Sequence, residues 1–145
     1  MPQRTHGRID MLIQVPLKKR IVLIEWKAIQ IDFLDVGTSL GCKEKAEHLS
    51  GLVDVNEILE LKFSQYDRWR PGQTIRNWIT NGPINGERNV SPRKQLAEYL
   101  ASPEITILKE ENEVVAFLVI IIGSRQVLLW QMEDGKFQKK PELAF

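Results

Sequence analysis

The sequence has a single cysteine, Cys42, and this scarcity excludes two kinds of small protein. Neither a disulfide framework nor a cysteine-rich zinc site can be built from one thiol. A reducing compartment is the simplest home for such a chain. We therefore expect an intracellular protein, cytoplasmic or nuclear.

An excess of charge of one sign is also missing. Twenty Lys and Arg residues oppose nineteen Asp and Glu residues, which gives a net charge of +1. This balance excludes the strongly basic profile of proteins that bind nucleic acid through their overall charge. Any contact with nucleic acid must therefore come from a local patch.

Long hydrophobic runs are scarce as well. The apolar stretch 116–122 is far too short to cross a bilayer, and the first ten residues, MPQRTHGRID, are polar and unlike a signal peptide. We therefore expect no membrane partner. With 145 residues, of which 43% are hydrophobic, the chain is long enough for one buried core and short for two, so we expect a single domain over 1–145.

Two stretches near the beginning of the chain have the composition of β-strands. Residues 9–15, IDMLIQV, are followed by Pro16, and residues 21–28, IVLIEWKA, come after a basic turn. Both faces of the second strand are mostly apolar, so we expect a central strand that is covered on both sides. Further strands are predicted at 113–122 and 126–132, with Gly123 and Ser124 as a two-residue hairpin turn.

Helices are predicted beside these strands. Ser91 followed by Pro92 marks a helix start, and the helix continues through RKQLAEYLA until Ser102 and Pro103 stop it. Residues 37–90 form a less regular insertion of helices and loops, with helices expected near 43–48, 55–63 and 74–80. The pattern as a whole predicts an α/β protein with a mixed sheet flanked by helices in three layers.

Asp10 and Glu25 are the residues whose placement suggests chemistry. If the first two strands are antiparallel neighbours, Asp10 at the beginning of one and Glu25 near the end of the other lie at the same end of the pair. Mg²⁺ prefers such oxygen ligands and can activate water for phosphodiester hydrolysis. Lys27 shares the face of Glu25 and could steady the attacking water or the charge on the phosphate. The backbone carbonyl of Trp26 could complete the metal shell.

These residues match a known pattern. An acidic residue that opens a hairpin, as in GRID, and a Glu-x-Lys that closes the next strand, as in IEWK, resemble the core of the PD-(D/E)XK nuclease superfamily. Gln95 and Tyr99 in QLAEY are similar to the Gln-x-x-x-Tyr motif of its RecB-type branch. The closest likeness is to the nuclease-like domains that follow AAA-ATPase-like regions in large protein families.

The resemblance implies a restriction-endonuclease-like core that cleaves nucleic acid, DNA or RNA, with Mg²⁺ or Mn²⁺ as cofactor. It implies that Gln95 helps to orient the metal site or a phosphate, and that Tyr99 packs or hydrogen-bonds near the substrate strand. The implied catalytic set is Asp10, Glu25, Lys27, Gln95 and Tyr99, and the implied metal ligands are Asp10, Glu25 and the carbonyl of Trp26.

The family also sets expectations about what accompanies this core. Its usual core begins with a helix before the first strand, and only six residues precede Gly7, so we expect either that the chain is a fragment or that the helix is supplied elsewhere. Besides nucleic acid, the suggested partners are an ATPase-like region or further copies of the chain. The alternative to an enzyme is a nuclease-like module that has lost activity and binds nucleic acid or protein.

Cations and aromatic residues alternate within the insertion. Such interleaving is typical of proteins that bind single strands, whereas a tryptophan is more often an anchor of the core. The residues concerned are Arg68, Trp69, Arg70, Arg76 and Trp78. Both interpretations are open at this point.

Overall fold

A mixed β-sheet forms the centre of the computed structural model, which describes residues 10–36, 42–86, 90–133, 136–137 and 142–143. Its principal strands are β1 (Met11–Val15), β2 (Arg20–Ile29), β5 (Glu113–Ile122) and β6 (Gln126–Glu133). The short strands β7 (Lys136–Phe137) and β8 (Glu142–Leu143) both pair with β6. The order is β1-β2-β5-β6-β7, and only the β2–β5 pair is parallel among the described pairings. The protein is therefore α/β with a mixed sheet, as predicted.

The principal strands lie where the sequence places them, within about two residues at each end. The prediction succeeds because these segments are rich in β-branched residues and are interrupted by turn residues. The basic turn between β1 and β2 contains a short 3-10 helix, Pro16–Lys18, followed by Lys19 in the left-handed region at φ 49°. Two further short strands, β3 (Leu34–Asp35) and β4 (Lys62–Phe63), form a separate antiparallel pair that the sequence did not indicate.

Five α-helices accompany the sheet within the described residues: α1 (Cys42–Ser50), α2 (Val55–Leu59), α3 (Ile75–Asn81), α4 (Pro92–Leu100) and α5 (Pro103–Lys109). The helix predicted at 55–63 is wrong in its second half, because the helix ends at Leu59 and Lys62–Phe63 is β4. The other helices predicted before α5 are confirmed. None of the described helices is long and apolar enough to span a membrane.

Two serine residues cap helices, of which the sequence predicts α4 but not α5. Ser91 Oγ accepts a hydrogen bond from the Lys94 N–H at 3.0 Å, so Ser91 caps α4 as predicted. Ser102 Oγ stands 3.5 Å from the Ile105 N–H in the same way and begins α5. From the sequence, Pro103 indicates only the end of α4. A Ser-Pro pair can end one helix and begin the next, since Pro at the first helical position requires no N–H partner.

The helices cover one face of the sheet. Alternate residues of β2, β5 and β6 are buried, and they belong to one hydrophobic core with residues of all five helices. Leu23, Leu118 and Leu128 expose no surface. Contributions from α1, α2 and α3 show that the segment 42–86 packs onto the same core as the sheet.

The opposite face of the sheet is apolar as well, but none of its residues is fully buried. Trp26 is 40% exposed, and the other members are Val22, Ile24, Val115, Phe117, Val119 and Ile121. Within the ranges that the structure describes, the arrangement is therefore a sheet and one layer of helices. The expectation that β2 is covered on both sides, and with it the third layer, is not met there, because an apolar face does not itself specify what packs on it.

Gly123 and Ser124 form the turn between β5 and β6, and both have a φ of +55°. The Arg125 N–H donates to the Ile122 carbonyl at 3.0 Å, but the two-residue turn that the sequence predicts is one residue too short. Pairing resumes with Ile122 opposite Gln126, so Arg125 is an extra residue in the loop. A Cβ on Gly123 would lie 2.9 Å from Leu49 Cδ2 and 3.3 Å from Ile31 Cβ. Glycine is favoured there by both backbone and packing.

We predict that Gly123→Ala lowers the free energy of unfolding more than Gly72→Ala does. Both glycines have positive φ, at +55° and +66°, so each alanine pays a backbone penalty of about 1 kcal/mol. Gly72 has open space around its Cβ position, whereas Gly123 meets the fully buried Leu49. The added packing penalty should be about 1–3 kcal/mol. Urea unfolding of both variants measures it, and equal losses would contradict the packing argument.

Candidate functional site

The pairing of β1 with β2 determines where Asp10 and Glu25 lie. Met11 is opposite Ile24 and Leu12 is opposite Leu23, and the same register continues to Val15 opposite Arg20. One further step in the other direction places Asp10 opposite Glu25. Residues directly opposite each other in an antiparallel pair project to the same face. The two carboxylates therefore meet at the end of the hairpin, as the sequence predicted.

The backbone of Trp26 fixes the Asp10 side chain. Its N–H donates to Asp10 Oδ2 at 2.9 Å. Asp10 comes immediately before the first residue of β1, and its carboxylate accepts the hydrogen bond that a backbone carbonyl would accept in a continuing ladder. The N–H and C=O of one residue in such a ladder point toward the same neighbouring strand. The Trp26 carbonyl is therefore on the Asp10 side of β2, where it was expected. The N–H was not considered from the sequence, although the register would have indicated it.

Glu25 is nearly buried, with 3% of its surface exposed, on the face that packs against the helices. Lys27, two residues along the same face, places Nζ 3.3 Å from Glu25 Oε1 and keeps about a third of its side chain exposed. The structure thus brings together the three residues of the predicted catalytic core. A buried acid, an exposed acid and a cation share one end of β2.

Burial is the main reason why the pKa of Glu25 is raised above its ordinary value of 4.5. The negative Asp10, which is a hydrogen-bonding neighbour of the Glu25 carboxyl, raises it further, and Lys27 partly offsets both effects. Two carboxyls held side by side favour retention of a proton between them. They equally favour a cation that would take the place of that proton.

The donor set fits a hard divalent ion. Mg²⁺ is commonly held by one or two carboxylates and completes its octahedron with water. Asp10 and Glu25 supply those carboxylates, and the Trp26 carbonyl adds a third oxygen on the same side. Over the described ranges no group of three or more His, Cys, Asp and Glu side chains is placed to hold a metal. The side chains of Asp10 and Glu25 offer oxygen ligands only, and an ion held by them would complete its shell with water.

Helix α4 carries the Gln95 and Tyr99 pair and packs against β2 and β5. Tyr99 is 6% exposed and lies in the core, together with Leu96 and Leu100. Gln95 is half-buried on the adjacent part of the helix surface. The helix is thus beside the strand that bears Glu25, as predicted. That the Gln95 amide is directed to the carboxylates stays a prediction.

Comparison of the chain with protein-family models, with curated proteins and with solved structures found no match. The geometry of the site is therefore the basis on which a function can be inferred.

We predict that Glu25 makes the metal-free protein less stable as pH rises. A raised pKa means that the folded state favours the neutral acid. The stability that the neutral Glu25 contributes is therefore fully present below about pH 4.5, and it is lost as pH rises through the folded-state pKa. Glu25→Gln stays neutral and avoids the loss. The variant should therefore gain stability relative to the wild type as pH rises, in urea unfolding with a chelator present.

The matched control is Glu47→Gln, an exposed residue of α1. Its stability relative to the wild type should change little over the same pH range, because water solvates that side chain in both states. If the Glu25→Gln curve ran parallel to the wild-type curve at every pH, the burial argument would be wrong.

Proposed function

We propose that this chain is a metal-dependent nuclease of the PD-(D/E)XK type that hydrolyses phosphodiester bonds. The observation that carries the proposal is the convergence of Asp10, Glu25 and Lys27 at one end of the β1–β2 pair. Three residues of different roles, separated by up to 17 positions in the sequence, share one site. The strand register brings them together.

The hydrolysis uses a water molecule whose oxygen forms a bond to phosphorus while one ester P–O bond breaks. The products are a phosphate monoester and an alcohol, and the leaving oxygen takes up a proton. A bound Mg²⁺ or Mn²⁺ would activate the water and neutralise charge on the phosphate. Asp10 and Glu25 would hold the ion, and the Lys27 ammonium, which lies beside Glu25, would stabilise charge that develops at the phosphate in the transition state.

The exposures of the three side chains suit this division of roles. Glu25 is buried and hydrogen-bonded, so its oxygens are held in place, whereas Asp10 is exposed and open to the solvent side. Lys27 is partly exposed and can contact a phosphate without leaving Glu25. A charged phosphate can thus approach from the Asp10 side, while the Glu25 carboxylate stays fixed in the protein.

The order and directions of the sheet strands support the finer fold assignment. We propose that β1, β2, β5 and β6 are the mixed sheet of a restriction-endonuclease-like core. In this proposal α4 is the helix that flanks the active site, Gln95 orients the metal site or a phosphate, and Tyr99 holds the helix against the strands. DNA is the expected substrate, with RNA as the other candidate, and association with an ATPase-like region or with further copies stays a prediction.

Replacing Lys27 with Met should separate binding from turnover. The change keeps most of the side-chain length and removes the cation, so metal affinity should persist while cleavage falls by about 10²–10³-fold. Glu25→Gln removes an anionic ligand, so metal affinity should fall by at least about tenfold together with cleavage. Calorimetric titration with Mn²⁺ measures the affinity, and plasmid and single-stranded substrates report the cleavage.

The controls are Lys43→Met and Glu47→Gln, which make the same chemical changes at exposed positions of α1. Both should cleave as the wild type does. Equal cleavage by Lys27→Met, Glu25→Gln and the wild type would show that the activity comes from elsewhere. Absence of cleavage by the wild type would favour the binding module that has lost activity.

Gln95→Ala tests the role of α4 separately. If the amide orients the metal site, cleavage should fall by about tenfold or more while the melting temperature changes little, because Gln95 is only half-buried. Glu98→Ala, an exposed change on the same helix, is the control. Unchanged cleavage by Gln95→Ala would reduce the Gln-x-x-x-Tyr resemblance to coincidence and leave the hairpin site standing.

A further inference from the structure

Two aromatic side chains are displayed on the surface just after β4. Tyr66 is 88% exposed and Trp69 is 47% exposed, and the Arg68 guanidinium lies 4.6 Å from the centre of the Trp69 ring. Such rings are normally covered in a soluble domain, since each buries a large apolar area when packed. We call Tyr66, Arg68 and Trp69 the aromatic loop.

The structure divides the cations and aromatics of this region into two groups. Trp78 is 7% exposed and packs edge-on against Phe63, and Arg70 stacks on both of these rings. Arg76 is paired with Glu60 at 2.8 Å. These three residues serve the fold. Of the pattern seen in the sequence, Arg68 and Trp69 remain available, and exposure adds Tyr66.

Hydrogen bonds hold the backbone of the aromatic loop. The buried Asp67 accepts from the N–H groups of Trp69 and Arg70 at 3.1 and 2.8 Å and pairs with the Arg70 side chain at 3.2 Å. Asn85 contacts the same segment from a second loop, donating to the carbonyls of Arg68 and Trp69. The exposed rings are therefore presented by a fixed backbone, which lowers the entropy lost on binding.

The segment that bears the aromatic loop contains more cations than acids, although the chain as a whole is nearly neutral. Residues 62–86 contain four Lys and Arg residues and one acid, Asp67. That acid is buried and paired with Arg70, so it presents little negative charge at the surface. Lys62 and Arg68 have no carboxylate partner within the part of the chain that the structure describes. These two cations favour an anionic partner over an apolar partner.

We propose that the aromatic loop is a stacking surface for single-stranded nucleic acid. Unpaired bases offer the flat faces that Tyr66 and Trp69 can stack on, and the phosphates between them suit Arg68. A duplex keeps those faces inside its own stack. This inference rests on the proposed function, because it names the substrate class of the same protein.

The test is fluorescence anisotropy of a labelled oligothymidylate, titrated with the full chain in EDTA so that cleavage does not occur. The wild type should bind the single strand at least about tenfold more tightly than the same strand annealed to oligoadenylate. Trp69→Ala and Tyr66→Ala should each weaken binding by between about five- and a hundredfold, and Trp69→Phe should retain most of it. Arg68→Gln should weaken binding and make it less dependent on salt.

Two matched controls are available. Ile107→Ala removes an apolar side chain that is 65% exposed on α5, and Arg125→Gln removes an exposed arginine from the β5–β6 turn. Both should bind the single strand as the wild type does. Thermal melts of every variant establish folding, and the 88% exposure of Tyr66 makes Tyr66→Ala a safe second probe.

Equal binding of single strand and duplex, or wild-type affinity in both Trp69→Ala and Tyr66→Ala, would overturn the inference. Lys27→Met distinguishes it from the proposed function. Normal single-strand binding by a wild type that does not cleave would overturn the nuclease proposal and support the stacking surface. Cleavage that depends on Lys27, combined with no effect of the aromatic-loop variants, would do the reverse.

Discussion

The register between β1 and β2 is the constraint on which the rest of the site depends. Because the side chains of a strand alternate between faces, a slip of one residue would move Asp10 to the face of the sheet opposite Glu25 and Lys27. Leu12 opposite Leu23 helps to fix the register, since Leu23 belongs to the covered face of the sheet. The geometry of the site thus depends on an apolar cross-strand pair a few residues away.

Placing Glu25 in that position costs stability in the metal-free chain. An acid at the end of an apolar strand loses hydration, and Asp10 beside it adds repulsion when both are ionised. The nearby Lys27 compensates only in part. A structural role alone would be served better by an apolar residue, because replacing buried charged groups by well-packed hydrophobic residues is often neutral or stabilising. The acidic pair is therefore a cost to the fold that the proposed metal site would offset.

Much of this arrangement could be predicted from the sequence, and the exceptions have physical causes. Strands and capped helices depend on local composition, so β2 and α4 are found where the pattern places them. The pairing of β3 with β4 joins two-residue strands that have no periodicity to detect. Whether the second apolar face of β2 is covered depends on tertiary packing, which alternation cannot show. The relative positions of Asp10, Glu25 and Lys27 were predictable because, in a tight hairpin, the strand register follows directly from the positions of the residues in the sequence.

The two hairpins of the sheet differ from the contact that joins them. Within each hairpin the partners are close in sequence, whereas the parallel contact between β2 and β5 brings together residues such as Arg20 and Glu113, 93 positions apart. Closing so long a loop is entropically costly, and non-local pairing slows folding. The acidic pair thus comes from a contact that is local in sequence. The burial of Glu25 comes from the helix-covered face of the sheet, to which residues far along the chain contribute, so the electrostatic character of the site depends on non-local packing.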